Sequence, residues 1–456
     1  MTRPTQTILN GYSRIKSTLH FPASALNIVG SGGATAVTDA QHQNQVDGSS
    51  ILPTYPRPSL MLTHGEGSYV ADSSGKKYLD FTSGIAVVSL GHSDPEITKI
   101  ISDQAGKLMH ASMLFENEWA DVLANKLVST TKASGTMSDA HQVFLASSGT
   151  EANEAALKFA RNFAKKSDPS GNKFEVVAFA NAFHGRSMGS LSATYNPKYR
   201  EPFAPLVPGF KHGVFNSTDG LDALITDRTC AVIVEPLQGE GGIYPAKPEF
   251  MAALRKRCDE TKALLILDEV QSGIGRTGSF WAHAHPSLRN AENKVIAEPD
   301  ILTSAKALGN GFPVGATIVT KRVAQTIGLG IHGTTYGGNP VACRVASHVI
   351  DRVSQKGFLQ QVQAKSDHLV KGLKSFQEKM PNVIKEVRGH GLMLGIELQP
   401  DHSSKISDVI KTARDHGLLI IVAGPCIRMV PPLTIDEKDL DKGLEIFGAA
   451  LEEVCG

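Results

Sequence analysis

The stretch Leu264-Leu265-Ile266-Leu267-Asp268-Glu269-Val270-Gln271 places four consecutive apolar residues directly before two carboxylates. The apolar residues do not alternate with polar ones, which favours a strand buried on both faces, as in a parallel sheet covered by helices. Further runs of this kind between residues 140 and 320 are Val143–Ala146, Val176–Phe179, Val232–Val234 and Ile301–Leu302. The pattern predicts an α/β fold with a doubly wound, mostly parallel sheet covered by helices.

Helical patterns separate and follow these runs. After Thr150, small and apolar residues recur at helical spacing as far as Lys165-Lys166, which predicts a helix packed on the sheet. Residues 52–100 show short strands and turns, and after Pro340 longer amphipathic helices alternate with short strands. We therefore expect a smaller α+β domain built from both chain ends. The expected divisions are an arm at 1–40, an N-terminal part of the small domain at 41–100, a large cofactor-binding domain at 101–345 and a C-terminal small domain at 346–456.

The charge balance of the chain excludes two classes of partner as the main function. Its 456 residues include 46 Lys and Arg against 45 Asp and Glu, a net charge of +1. A surface for nucleic acid or for an anionic membrane needs a basic excess, so neither partner is expected. No apolar run approaches the ~20 residues of a membrane span. The five cysteines show no metal-ligand or disulfide spacing, which is typical of a reducing compartment.

The first 38 residues contain no Asp or Glu, while Arg3, Arg14 and Lys16 lie among many Ser and Thr residues. An acid-poor, arginine-bearing, hydroxyl-rich and weakly amphipathic segment is typical of a mitochondrial transit peptide. The alternative is a disordered tail, with which Gly30-Ser31-Gly32-Gly33 is equally compatible. We expect the transit peptide.

Three strand ends carry groups that suggest chemistry. Ser147-Ser148-Gly149-Thr150 opens a helix, where free N–H groups bind a phosphate or where a plain helix cap is formed. Asp268 ends a buried strand and needs a cation there or a helix N-terminus elsewhere. Lys306 stands among small and apolar residues in Ala305-Lys306-Ala307-Leu308-Gly309, either desolvated as a nucleophile or simply solvated.

Taken together, the three strand ends have one economical explanation. Pyridoxal phosphate requires a lysine for its aldimine, an aspartate that keeps the pyridine nitrogen protonated, and a helix N-terminus for its phosphate. Because ligands of such sheets bind at the carboxyl ends of the strands, Lys306, Asp268 and Gly149-Thr150 are expected to meet there. The combination predicts a pyridoxal phosphate site.

Two other patterns are set aside. Gly328, Gly330 and Gly333 match G-x-G-x-x-G, but no convincing strand precedes them and no helix opens after them, so a dinucleotide site is rejected. His283 and His285 lack a supporting carboxylate or cysteine spacing for a metal. No metal is expected.

From about Gly65 to the C-terminus the sequence resembles the class III aminotransferases, the ornithine and acetylornithine type of the fold-type I pyridoxal phosphate enzymes. The stretches that carry the resemblance include Ser83–Val87, Leu90-Gly91-His92, Ser148–Ala155, Phe183-His184-Gly185-Arg186, Gln238–Gly242, Asp268–Gln271, Gly275-Arg276-Thr277-Gly278, Ala305–Gly309 and His332–Pro340. So many matches in order make a chance resemblance improbable. The resemblance implies a transaminase with a large sheet domain and a smaller α+β domain.

The resemblance also implies roles for individual residues. Lys306 would carry the aldimine and then move the proton between the substrate and the cofactor, and Asp268 would pair with the pyridinium. The other implied cofactor contacts are Gln271 at the phenolic oxygen, Val270 and Phe183 on the two ring faces, and Gly149 and Thr150 at the phosphate, joined by Thr335 of a second subunit. This last contact implies a homodimer with shared active sites.

Substrate binding is expected to use cations, because both implied substrates carry carboxylates that a guanidinium binds with two hydrogen bonds. The candidates from the resemblance are Arg186 and Arg428, with Thr334 near the substrate. A surface or core ion pair is the alternative for each arginine. Glu240 resembles the gate residue that masks an arginine during the amine half-reaction and releases it for a dicarboxylate.

Within the family, Ser83–Val87, Leu90–His92 and Lys107–His110 resemble the branch that acts on N2-acetylornithine. The implied reaction is a ping-pong transfer of its δ-amino group to 2-oxoglutarate, in arginine biosynthesis in the mitochondrial matrix. The alternatives are another ω-aminotransferase using ornithine, 4-aminobutyrate or succinylornithine, an aminomutase of the glutamate-1-semialdehyde type, and a silent family member that serves as a scaffold.

Overall fold

The computed structural model describes residues 50–456 of the chain. The chain separates into two units, Met1–Pro53 and Thr54–Gly456, and the fold below is that of the second. The expected transit peptide within residues 1–40 lies outside the described residues. Among residues 50–456, no helix is long and apolar enough to cross a membrane.

A seven-stranded sheet forms the centre of Thr54–Gly456. Its strands, in spatial order, are Ala140–Ala146, Gly315–Thr320, Ile301–Ser304, Leu264–Asp268, Thr229–Val234, Glu175–Phe179 and Phe210–Gly213. Gly315–Thr320 pairs antiparallel with both of its neighbours, and the remaining pairs are parallel. The five strands expected from apolar runs are all present, and the mostly parallel sheet is confirmed. The sequence did not predict two strands of the sheet, Gly315–Thr320 and Phe210–Gly213. In the first, apolar residues are mixed with glycine and threonine, and the second is only half-buried.

Both faces of this sheet are covered. Leu265 and Leu267 pack into one hydrophobic cluster, while Leu264 and Ile266 of the same strand pack into another on the opposite face. Burying each such side chain contributes about 1.5–3 kcal/mol, which is why a run of four apolar residues is stable only between two helical layers. The longer helices of this part are Pro95–Ala105, Glu118–Ala133, Gly149–Ser167, Pro248–Thr261 and Pro340–Val353.

Shorter helical segments connect these elements. They are Ser83–Ala86, Met188–Ala193, Pro197–Arg200, Leu221–Leu224 and Lys321–Ala324, with 3₁₀ turns at Glu201–Phe203, Ala282–Ala284, Pro286–Leu288, Lys306–Gly309 and Pro400–Lys405. A two-stranded ribbon, Leu237–Gln238 with Tyr244–Pro245, lies in the connection after the strand Thr229–Val234.

The two ends of Thr54–Gly456 meet in a smaller α+β part. Lys77–Asp80, from the N-terminal region, pairs in parallel with Leu418–Leu419, from the C-terminal region. Leu79 and Phe81 share one hydrophobic cluster with residues of the C-terminal helix Glu437–Cys455. The expected smaller α+β part built from both chain ends is therefore confirmed. Its other elements are the strands Leu62–Glu66, Tyr69–Asp72, Ile384–His390, Met393–Leu398, Ile421–Ala423 and Cys426–Met429, and the helices Phe358–Lys379 and Ile406–Asp415.

Candidate active site

The carboxyl ends of the parallel strands surround a cavity of about 380 Å³. Gly149 and Thr150 follow the strand Ala140–Ala146. Asp268 ends Leu264–Asp268, which is the third strand from it in the sheet. Lys306 follows Ile301–Ser304, one of the two strands that lie between Ala140–Ala146 and Leu264–Asp268. The structure thus brings the three predicted strand ends to one cavity, since parallel strands exit at the same edge.

Lys306 adopts a backbone conformation that is unusual for its residue type. Its φ is 41°, in the left-handed region that favours glycine. Such a conformation costs on the order of 1–3 kcal/mol and persists only where the surroundings impose it. Burial and, to a smaller extent, the positive charge of Arg428 lower the pKa of Lys306 to about 8, against the opposing effect of nearby carboxylates. A larger fraction of this amine is therefore neutral than in an exposed lysine.

Asp268 is held by three donors rather than by a single cation. Its Oδ2 accepts hydrogen bonds from Asn153 Nδ2 at 2.7 Å and from His184 Nδ1 at 2.8 Å. Its Oδ1 accepts from the backbone N–H of Val270 at 3.0 Å. The side chain is 3% exposed, so these bonds replace the water that a buried carboxylate would otherwise lack. The three hydrogen bonds also fix the orientation of the Asp268 carboxylate.

The helix Gly149–Ser167 points its N-terminus into the cavity. Ser148 caps it by accepting from the N–H of Glu151, as the simpler interpretation of the sequence requires. A Cβ atom on Gly149 would lie 2.6 Å from Val270 Cγ1, so only glycine permits this close approach. Ser147 Oγ is buried with no hydrogen-bond partner among residues 50–456. The cap leaves further N–H groups of the first turn facing the cavity, where they can hold an anion.

Gln271 joins the cavity to the smaller α+β part. Its Oε1 accepts from Nη1 of Arg428 at 3.0 Å, and Arg428 lies on the strand Cys426–Met429 with 2% of its surface exposed. The same Nη1 lies 3.2 Å from Oε2 of Glu240. The expected pairing of Glu240 with an arginine is therefore present, and the arginine is Arg428. Val270 and Phe183 both line the cavity.

Arg186 lies at the cavity in a different environment. It is exposed, and its guanidinium stacks 3.8 Å from the ring centroid of Tyr199 and 5.4 Å from that of Phe183. Burial raises the pKa of Tyr199, which keeps this ring neutral beneath the cation. An exposed guanidinium fixed by aromatic faces keeps its N–H groups available for a ligand carboxylate.

The structure does not bring Thr334 and Thr335 into the cavity of the same chain. Thr334 Oγ1 donates to Glu151 Oε1 at 3.2 Å, and Thr335 is exposed. Neither residue lines the cavity described here.

Three residues of the site have no role in the sequence prediction. His184 and Asn153 hold Asp268, and Glu235 lines the same cavity. Glu235 directly follows the buried run Val232–Val234, so it carries the same strand-end signal in the sequence as Asp268. Asn153 and His184 lack such a signal, because their contacts with Asp268 join residues 115 and 84 positions apart.

The patterns that were set aside have structural explanations. His283 uses both ring nitrogens, with Nδ1 2.5 Å from Glu269 Oε1 and Nε2 3.0 Å from the carbonyl oxygen of Thr136. His285 stacks on His390 with ring centroids 3.8 Å apart. The glycine pattern at 328–333 follows the short helix Lys321–Ala324 rather than a strand.

Comparison with known proteins gives one consistent family. Residues 53–451 match the family described as Aminotransferase class-III. The chain is similar to the mitochondrial acetylornithine aminotransferase of Neurospora crassa, with 49% identity over 95% of this chain and 96% of that protein. The protein of the same name from Yarrowia lipolytica is 54% identical over 88% of this chain and 94% of its own length. The crystal structure of N-acetylornithine aminotransferase from Stenotrophomonas maltophilia superimposes with a TM-score of 0.74 at 36% identity, covering 88% and 97% of the two chains.

Proposed function

The chain belongs to the class III aminotransferases, and we propose that it transfers the δ-amino group of N2-acetylornithine to 2-oxoglutarate. The products are N-acetylglutamate 5-semialdehyde and glutamate. The meeting of Lys306, Asp268 and a helix N-terminus in one cavity supports the reaction type. The names of the Neurospora and Yarrowia relatives support the substrate.

The residues of the cavity fit pyridoxal phosphate, the cofactor of this family. The unpartnered hydroxyl of Ser147 and the first turn at Gly149 and Thr150 suit a phosphate. The buried carboxylate of Asp268 suits a protonated ring nitrogen, and Lys306 provides the amine. When bound, the cofactor supplies an electron sink for the carbon that loses its proton.

We assign the chemical steps of this chain to Lys306 and Asp268. Lys306 Nζ takes the proton from the substrate carbon that bears the amino group and later returns it, a task for which a pKa near the working pH is suited. The carboxylate of Asp268 would hold a proton on the ring nitrogen of the bound cofactor. Asn153 and His184 orient Asp268, because each donates to its Oδ2.

Arg428 and Glu240 let one site accept two different substrates. Glu240 lies 3.2 Å from Arg428 and would neutralise it while the acetylated amine is bound. When the dicarboxylate enters, its second carboxylate displaces Glu240, which is partly exposed and can turn to water. Arg186 binds the carboxylate that both substrates share, and Thr334 lies near the substrate in the completed site.

We propose that two copies of the chain form a homodimer and complete each other's sites. Among residues 50–456, one cluster of exposed apolar side chains lies in the segment at Leu108, Met109, Met113, Leu114 and Phe115, with Tyr336 beside them, and another lies at residues 51–62. His110 and Tyr336 have ring centroids 5.5 Å apart, and Asn339 Nδ2 donates to the Met109 carbonyl oxygen at 2.7 Å. The segment therefore joins the 328–340 loop in a surface that a second copy would cover. The same contact would bring Thr335 to the partner's phosphate site.

A single charge in this surface tests the dimer. We expect Leu114→Glu, at a residue that is 86% exposed, to give monomers in light scattering and to weaken cofactor binding. Val214→Glu is the matched control, since Val214 is 68% exposed but lies outside both the 108–115 segment and the 328–340 loop. A dimer that persists in Leu114→Glu would contradict the proposed interface.

We further propose that residues 101–345 form the large domain and that 41–100 with 346–456 form the small one. The chain would work in the mitochondrial matrix, directed there by its first ~40 residues, as the N-terminal composition indicates. Import of a fluorescent protein fused to residues 1–40, followed by protease protection after outer-membrane rupture, tests the location. A fusion that stays in the cytosol would refute it.

The proposed reaction is tested by the visible absorbance of the purified protein during addition of N2-acetylornithine without any keto acid. Loss of the bound-cofactor band, and its return on addition of 2-oxoglutarate, is the expected result. A band that responds only to ornithine, 4-aminobutyrate or succinylornithine would keep the family and change the substrate. Turnover without 2-oxoglutarate would indicate an aminomutase, and a protein that forms no band with added pyridoxal phosphate would be a scaffold.

A further inference from the structure

A second buried carboxylate, Glu235, lies between two loops of the active site. Its Oε1 accepts from the backbone N–H of Phe183 at 3.0 Å, and its Oε2 accepts from the backbone N–H of Gly239 at 3.0 Å. The side chain is 4% exposed. Each oxygen thus holds a different loop, and one side chain joins the two.

The two loops carry residues with different tasks. The first loop contains Phe183, which faces the cofactor cavity, and Arg186. The second contains Glu240, directly after Gly239, and Glu240 pairs with Arg428. A tie at Glu235 therefore sets the distance between the cofactor contact and the substrate gate.

The contact with two N–H groups requires a negatively charged side chain. A carboxylate offers an acceptor to each donor, whereas a protonated carboxyl or an amide offers one acceptor and turns a donor toward the other N–H. A neutral side chain would thus release one of the two loops. A second hydrogen bond between the neighbouring segments, from Gln238 Nε2 to the Ala180 carbonyl oxygen at 2.8 Å, joins two neutral groups and is weaker.

We propose that Glu235, as the carboxylate, is a positioning residue that holds the Phe183–Arg186 loop and the Gly239–Glu240 loop in a single arrangement. Burial raises the pKa of Glu235 to about 7, with Asp268 adding to the rise and His184 opposing it. Lys306 also faces it, and the negative charge of Glu235 opposes the lowering of the Lys306 pKa by burial. The tie is complete above about pH 7 and is lost as the pH falls through this value, because the proton removes one acceptor.

Glu235→Gln imitates the protonated side chain and provides the test. We expect its dissociation constant for pyridoxal phosphate, measured on apoprotein, to exceed that of the wild type by ~10-fold at about pH 8.5 and to approach it at about pH 6. The KM for 2-oxoglutarate should follow the same pattern, with kcat changed less than ~3-fold. His184, Asp268 and Lys306 are present in both proteins. The ratio of their dissociation constants therefore reports the titration of Glu235.

Glu269→Gln is the matched control. Glu269 is also fully buried, follows the neighbouring strand Leu264–Asp268, and accepts from the N–H groups of Ala282 at 2.5 Å and His283 at 2.9 Å, but it does not line the cavity. The ratio of the dissociation constant of Glu269→Gln for pyridoxal phosphate to that of the wild type should not change with pH. A ratio for Glu235→Gln that is independent of pH, or equal to that of Glu269→Gln, would overturn the proposal.

Glu235→Asp keeps the charge and covers the case in which Glu235→Gln does not fold. We expect it to retain the wild-type pH dependence and an affinity within ~5-fold at about pH 8.5. A flat pH profile in this variant would also refute the positioning role. The inference rests on the proposed transaminase function, but cofactor binding needs no amino donor. If N2-acetylornithine is not a substrate, the dissociation constants for pyridoxal phosphate still test the role of Glu235.

Discussion

Residues that follow the strands of the central sheet and residues carried by loops reach the cavity in different ways. Asp268 ends a strand, is 3% exposed and accepts three hydrogen bonds. Arg186 lies on a loop, is exposed and stacks on the rings of Tyr199 and Phe183, while Thr335 does not line the cavity of its own chain. The pairing register of the sheet fixes the position of a strand-end residue such as Asp268 within one chain. The position of a loop residue depends on loop contacts and, for Thr335, on the proposed second copy.

This difference predicts unequal effects of substitution, with Lys306→Ala as the largest. Removing the amine takes away both the cofactor attachment and the proton carrier, so we expect kcat to fall by at least ~10³-fold. Lys321→Ala, which removes an exposed lysine outside the cavity, is the control and should leave turnover near wild type. Unfolding temperatures of both variants show whether the fold is intact. Steady-state transamination by a folded Lys306→Ala protein would end the assignment.

A second effect of the strand-borne site is the pH at which Lys306 reacts. Because burial lowers its pKa to about 8, its neutral fraction near pH 8 is ~100-fold that of an ordinary exposed lysine. In apoprotein, reductive methylation of Lys306 by formaldehyde should rise with pH and level off above about 8. Mass spectrometry of the peptides gives the rate at each lysine. A rate that continues to rise steeply beyond pH 9 would contradict the lowered pKa.

A loop-borne arginine should affect affinity more than the chemical step. Arg186→Ala is expected to raise KM about 10-fold for both carboxylate substrates, with a smaller change in kcat, because the lost interaction is made before the reaction begins. Arg200→Ala is a useful comparison, since Arg200 lies beside Tyr199 but does not line the cavity. An unchanged KM for both substrates would remove Arg186 from the site.

The smallest effect is expected at Thr335. Thr335→Ala should weaken cofactor binding by ~5-fold, the loss of one hydrogen bond, provided that the protein is a dimer. Thr334→Ala, which loses the contact with Glu151, is the comparison within the same loop. Combining Thr335→Ala with Leu114→Glu tests the shared site, because in a monomer the threonine should make no further difference. Additive losses in the double variant would contradict a contribution across the dimer.

The strand-borne part of the site could be predicted from sequence because the signals are local. An apolar run followed within a few residues by a charged residue marks both a buried strand and the group beyond its end, as at Asp268, directly after Leu267, and at Lys306, four residues after Leu302. The antiparallel strand Gly315–Thr320 escaped detection, since its apolar and polar residues are mixed and its burial comes from neighbours far along the chain. The resemblance to a family supplied the remaining candidate residues, including Glu240.

The sequence by itself determined the sheet class, the lysine, the aspartate and the helix N-terminus, because each depends on residues that adjoin a strand. Only the tertiary structure decided which groups hold Asp268, that Glu240 pairs with Arg428, and that Glu235 joins two loops. These contacts link residues between 4 and 188 positions apart, and their geometry follows from sheet order and loop packing. Local sequence specifies which chemical groups are available, and the packing of distant segments specifies which of them meet.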